Sequence, residues 1–417
     1  MNRRASRGSK SQALLAAALL LGHLLGLGGA PRALAYALNY TVADMRQPVS
    51  VSGGTACPQP NRLLAAAAPI NRRWSISLGT TPVTILTLDQ TAGGRLSEIE
   101  NAILQSFAVW TGVPGSALRS TSLAPLARTA AQTACSASDG LNSICFDQSD
   151  AAFAPGVLAF TRVITADTIG EQLAPGTAPS SFIGQILDAD ILVRPGDADS
   201  TFATPQALPS QPSAYDLESV LMHELGHFFG SGHSGVWSAM MYPFVPPRGE
   251  FLADRPSAQQ PDAPLADDDR TALRVLYPDP ADAANIGSIR GRVLPANPLS
   301  LPAARPDVSG VFGAQVVAVD AATGAVIAAT LAGWSCGDSG PAQFDGSFHL
   351  DRLPVGAGRS YNIYAEPLDG PVDAGEIQSS IVGLCRNGQT DGGWPAPFAC
   401  TVPDVMTNFT TRFRPGN

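Results

Sequence analysis

His223-Glu224-Leu225-Gly226-His227-Phe228-Phe229-Gly230-Ser231-Gly232-His233 spells HExxHxxGxxH. Of the five histidines in the 417 residues, three fall inside this stretch and one, His23, lies in the N-terminal leader. The preceding Leu217-Glu218-Ser219-Val220-Leu221-Met222 is a good helix former, so His223 and His227, at i and i+4, share one helical face and are close enough to share a metal ion. Glu224 then sits beside the metal without ligating it. Glycine accepts the left-handed backbone, so Gly230 ends the helix and lets the chain swing His233 round as a third nitrogen ligand. Three imidazoles suit zinc and leave its fourth position open to water, the arrangement of a catalytic site.

Around that motif the chain resembles the metzincin metallopeptidases. Ser234 after the third histidine, and Ser238-Ala239-Met240-Met241-Tyr242-Pro243 beyond it, are similar to the matrixin-like branch. The resemblance implies a methionine turn beneath the metal, with Met241 at its apex. A second register, with Met240-Met241-Tyr242 as the Met-x-Tyr turn of astacin-like and serralysin-like relatives, would give Tyr242 a role as fifth ligand or transition-state hydrogen bonder. Pro243-Phe244-Val245 carries valine where animal matrixins place tyrosine, which leaves the substrate pocket open. The likeness continues in Ser97 to Trp110, similar to a first helix ending in Phe-x-x-Trp, and in a strand at Pro82 to Leu88. It extends through Gly156 to Thr161 (Leu-Ala-x-Thr), Ile186 to Val193 (Ala-Asp-Ile) and a closing helix at Leu265 to Pro278.

What the resemblance implies is an α+β fold: a metzincin-type catalytic domain, with a twisted mixed sheet and an active-site helix, over residues 72–280. The activity it implies is zinc endopeptidase, with Glu224 as general base and a protein or peptide substrate. Asp188, Asp190, Asp197 and Asp199 bracket the strand expected at the sheet edge; either they bind calcium, as in many matrixins, or they form a solvated acidic loop. The edge around Asp190 to Val193 is expected to pair with an extended peptide. Two rival readings stay open: a binding or adhesion protein with a vestigial metal site, and a narrow protease that processes itself or one partner.

Residues 1–35 read as a signal peptide. Arg3, Arg4, Arg7 and Lys10 precede an apolar run from Ala13 to Gly29, and Ala33-Leu34-Ala35 offers a cleavage site. Export is therefore expected, to the medium, the periplasm or the cell surface. No later apolar run approaches the ~20 residues that span a bilayer, so no membrane contact is expected after cleavage. The net charge of −9 argues against a nucleic-acid partner. The oligomeric state is not legible. In an oxidising compartment the six cysteines, Cys57, Cys135, Cys145, Cys336, Cys385 and Cys400, favour disulfides. Residues 36–71 form a short N-terminal segment in which Cys57 is either a disulfide partner or, following matrixin proforms, a latency switch on the metal. Its context, Ala56-Cys57-Pro58-Gln59-Pro60, lacks the family's Arg-Cys-Gly-x-Pro.

After a linker at Pro278 to Asn285, residues 286–417 show short alternating strands at near-regular spacing, which predicts an antiparallel β-sandwich. Val-x-Ala-x-Asp-x-x-Thr-Gly, Asp-Gly-Ser-Phe and Leu-Pro-x-Gly resemble carboxypeptidase regulatory-like, transthyretin-like modules. His349 is expected to be an ordinary strand residue there.

Overall fold

The computed structural model describes, with short gaps, residues 92–118, 142–145, 153–194, 202–249, 264–297, 309–335 and 345–366, and short segments between 36 and 86. In chain order the elements are β1 (Tyr36–Leu38), β2 (Val49–Val51), β3 (Gly54–Ala56), β4 (Ser75–Ser77), β5 (Ile85–Leu86), α1 (Ala92–Thr111), β6 (Ser143–Cys145), β7 (Ala159–Thr165), β8 (Ile186–Val193), β9 (Phe202–Ala203), β10 (Tyr215–Asp216), α2 (Leu217–Phe228), β11 (Ser231–Ser234), α3 (Asp267–Leu276), β12 (Ile286–Arg292), β13 (Gln315–Asp320), β14 (Val326–Leu331), β15 (Ser347–Pro354) and β16 (Tyr361–Glu366). The expected linker winds into a 3-10 turn over Pro280–Asn285, with Asp279 accepting from the Ala281 N–H at its start.

A mixed sheet in the order β4-β6-β8-β7 backs the histidine motif, with β4, β6 and β8 parallel and β7 antiparallel to β8. This corrects the expected edge: β8, with Asp190 to Val193, lies inside the sheet, and among the described strands β7 forms its border. The physical reason is legible in burial. All but one residue of β8 are buried, as in a strand covered on both faces, whereas every residue of β7 is half-buried. Strand alternation gives β7 two faces. Ala159 and Val163 pack on the main core, while Phe160 packs with Phe153, Leu192 and Cys145 on the other side. Cys145 is disulfide-bonded.

Helix α1 crosses α2 through aromatic contacts. Phe107 meets Phe228 and Phe229 edge-on at 6.3 and 6.0 Å, and the Trp110 indole N–H donates to the Met222 carbonyl at 2.8 Å. The indole is wholly buried, so that bond satisfies a donor whose desolvation would otherwise cost about 1–3 kcal/mol. Tyr277, just past α3, donates to the Phe229 carbonyl at 2.7 Å and accepts from the Leu63 N–H at 2.9 Å. It thereby ties the end of α2 to the N-terminal segment.

Beyond the 3-10 turn, β12 and β15 form an antiparallel pair, and β14-β13-β16 an antiparallel three-stranded sheet. His349 is exposed on β15, its neighbour Leu350 buried. One hydrophobic cluster runs from Phe107, Leu221 and Leu225 through Leu273 and Leu276 to Val316, Ile327, Leu350 and Leu353.

Candidate metal centre

The centre is assembled from the start of α2. Asp216 caps the helix, its carboxylate accepting from the Glu218 and Ser219 N–H groups at 3.1 and 3.2 Å and from the Ser219 hydroxyl. Two helical turns on, His223 and His227 share a face, ring centroids 4.9 Å apart. At Gly230 the backbone reaches φ +100°, and a Cβ there would lie 1.9 Å from the Asn61 carbonyl oxygen, so glycine is required by both conformation and space. The chain reverses into β11, which brings His233 to 5.2 Å from His223 and 4.8 Å from His227, centroid to centroid. One ring nitrogen from each histidine lies within 4.8 Å of the others. Among the described residues this is the one group of three or more metal-capable side chains placed to share an ion.

Carbonyl partners fix the tautomers. His223 Nδ1 lies 2.8 Å from the Met240 oxygen and His227 Nδ1 2.9 Å from the Ser231 oxygen. A carbonyl only accepts, so both Nδ1 atoms carry the hydrogen and both Nε2 atoms keep a lone pair. Burial pushes His223 down to about 3, the nearby His233 adding to the effect against the pull of the Met240 carbonyl. Burial also holds His227 well below the ordinary histidine value, helped by His233 and His223. Neutral imidazoles with one nitrogen oriented by a carbonyl are a donor set that fits zinc.

Glu224 is buried, and Thr161 on β7 donates its hydroxyl to Glu224 Oε2 at 2.6 Å. Burial raises the carboxyl to about 7, and the Thr161 bond opposes that rise. Met241 lies buried beneath α2. A Cβ at position 226 would be 2.0 Å from its sulfur, so the glycine between the two helical histidines makes room for the methionine. The turn itself hangs on Asp269, which accepts from the N–H groups of Met240, Met241 and Ala266 at 2.7, 3.1 and 2.9 Å. The Met241 carbonyl in turn accepts from the Ser234 N–H at 2.7 Å. Ser234 also donates its hydroxyl to Asp268 at 2.7 Å, and that carboxylate accepts the Ala329 N–H of β14 at 2.9 Å.

The structure thus brings together His223, His227 and His233, with Glu224 next to His223 in the helix and Met241 packed against Gly226 between the two helical histidines. Tyr242 is buried against Phe244, rings 5.7 Å apart, and burial raises its phenol. Asp188 and Asp190 are buried on β8, Asp190 facing the Arg162 guanidinium at 3.7 Å across the β7–β8 register. Asp197, Asp199 and Cys57 lie outside the described residues. Thr161, Asp268, Asp269 and Gly226 carry parts of the site that the motif alone did not assign. Thr161 ends the Leu-Ala-x-Thr stretch as a polar residue on a face whose neighbours are apolar, whereas Asp268 and Asp269 stand in a charged first turn of the closing helix, where nothing local singled them out.

Comparison with known proteins agrees with this geometry. The matrixin family profile matches residues 163–278. Metalloendoproteinase 1 of Glycine max is 40% identical over 83 residues, which cover 19% of this chain and 24% of the relative. Metalloendoproteinase 2-MMP of Arabidopsis thaliana is 47% identical over 92 residues, 22% of this chain and 20% of the relative. Metalloendoproteinase 4-MMP of the same plant is 57% identical over 37 residues, 9% and 11% of the two chains. The chain therefore spans about a quarter or less of the length of these curated relatives. Over residues 163–278, the part that carries the three histidines, Glu224 and the methionine turn, the chain is matrixin-like.

Proposed function

We propose that this chain is an exported zinc endopeptidase that hydrolyses peptide bonds in flexible or unfolded protein segments. The observation that carries the reading is the convergence of three imidazoles, two of them with the tautomer fixed by a carbonyl, with a buried carboxylate next in sequence to the first. Zinc held there supplies a coordinated water whose pKa falls toward about 7 and a Lewis acid for the peptide carbonyl. His223, His227 and His233 would hold the ion, with the Met240 and Ser231 carbonyls fixing the first two rings so that Nε2 is free to ligate. Glu224 takes the proton of the attacking water on its carboxylate and passes it to the departing amine. Strand β7, with one neighbour among the described strands, presents a border on which an extended substrate backbone can add. Residues 286–417 serve a binding or stabilising role.

The test is hydrolysis of an unstructured protein by the purified mature chain, with zinc content measured alongside, for wild type and Glu224→Ala. Wild type is expected to cleave, chelation to stop it, and the variant to keep its zinc while losing at least about 100-fold in rate. Zinc bound by both with cleavage by neither would favour the binding-protein reading.

A further inference from the structure

Strand β7 carries a hydroxyl where its neighbours on the same face are apolar. Ala159 and Val163 flank Thr161 at two-residue spacing and pack on the main core. Register partners in an antiparallel pair project to the same face, and the partner of Thr161 is Ile191, fully buried in the cluster that also holds Leu221 and Leu225 of α2. The hydroxyl therefore points at α2, and it meets Glu224 across 63 residues of sequence. Its proton has two acceptors in reach, Glu224 Oε2 at 2.6 Å and the Glu224 carbonyl at 3.0 Å. The shorter contact has the length of a charge-assisted O–H···O bond. Among the described residues Oε1 makes no hydrogen bond, so the two carboxylate oxygens are not equivalent.

We propose that Thr161 is a positioning residue for Glu224: its hydroxyl anchors Oε2 and turns Oε1 toward the proton to be moved. Threonine suits the task because branching at Cβ stiffens χ1 on a strand, which fixes where the hydroxyl points. The strand that carries it is also the outer strand proposed to pair with substrate, so the backbone that would receive substrate sets the orientation of the base. Glu224 reaches its place from a helix, and its long side chain has rotamers to lose. A donor on the facing strand selects one of them before substrate arrives. This inference rests on the reading of Glu224 as the proton carrier.

The experiment compares wild type, Thr161→Val and Thr161→Ser as zinc-loaded full-length chains. Valine keeps the branched shape and removes the donor; serine keeps the donor and removes the methyl. Thr161→Val is expected to lower kcat by about 10- to 100-fold, the scale of a misplaced catalytic group, with KM within about twofold and zinc per chain unchanged. Thr161→Ser is expected to recover most of kcat. Wild-type kcat in Thr161→Val, or a serine variant as slow as the valine one, overturns the proposal. A second arm needs no turnover: Thr161→Val should depress the melting temperature more in the Glu224 chain than in a Glu224→Ala background. Equal shifts in the two backgrounds overturn the positioning role, and if wild type cleaves nothing it is the peptidase reading that fails while this arm still decides the role of Thr161.

Discussion

At position 226 a Cβ would lie 2.0 Å from the Met241 sulfur, 2.9 Å from its terminal carbon and 3.0 Å from Trp110 Cζ2. Methionine side chains usually give way. This one has little room to give, because it is almost fully buried and the equally buried Trp110 beside it is tied to the Met222 carbonyl. Gly226→Ala is therefore expected to lower stability by about 1–3 kcal/mol, the usual cost of overpacking, and to weaken zinc binding by tilting the helix that carries His223 and His227. Gly356→Ala, where a Cβ meets nothing within 4 Å, is the control. Melting temperature and zinc affinity of the two variants check this; equal behaviour would mean that Met241 moves freely.

The first turn of α3 holds three consecutive aspartates, Asp267, Asp268 and Asp269, with two of them buried. Negative charge at a helix N-terminus is favourable, and such runs are ordinarily solvated. The structure instead aims Asp269 at the methionine turn. Burial raises Asp269 to about 6 against the pull of the Met240, Met241 and Ala266 N–H groups and of Arg270, while its unfolded value is 3.8. The folded chain thus holds this proton more tightly than the unfolded chain. Stability from this group is greatest below pH 3.8 and declines as pH rises to about 6, where it levels off. In denaturant unfolding of metal-free full-length protein, the stability difference between wild type and Asp269→Asn should fall by about 2–3 kcal/mol between about pH 4 and 8, the subtraction cancelling the parallel contribution of Glu224 and the opposing ones of His223 and His227. What was legible at this scale followed from periodicity: α2, β8, the closing helix and the turn at Gly230 are local patterns. The edge strand was not legible, because β7 and β8 each mix apolar and polar residues and their order across the sheet depends on β6, a three-residue strand. The Thr161 to Glu224 bond was hidden for the same reason, as nothing local to either residue names the other.

At the scale of the whole molecule, residues 286–417 read as a separate module, yet the C-terminal strands share a core with the histidine-bearing part. Leu273 and Leu276 of α3 lie in one cluster with Val316, Ile327 and Leu350. The join is also polar. Ala329 sits in β14, at one border of its sheet, and its N–H goes to Asp268, which holds Ser234 beside the third histidine. Deleting 286–417 would uncover the apolar side of α3 and remove one of the donors to a wholly buried carboxylate. Such a truncated chain is expected to lose cooperative melting and zinc binding together. A subtler change separates the polar join from the loss of core. Proline is tolerated at a sheet border but has no N–H, so Ala329→Pro keeps the module and removes the bond. It is expected to cost about 1.5–3 kcal/mol, the worth of a hydrogen bond to a charged group, and to weaken zinc binding through Ser234. Unfolding free energy and zinc affinity of the full-length variant measure both effects. A truncated chain that still binds zinc and melts like the full-length one would show that the catalytic part folds without the module and that the shared core is not required for the metal centre.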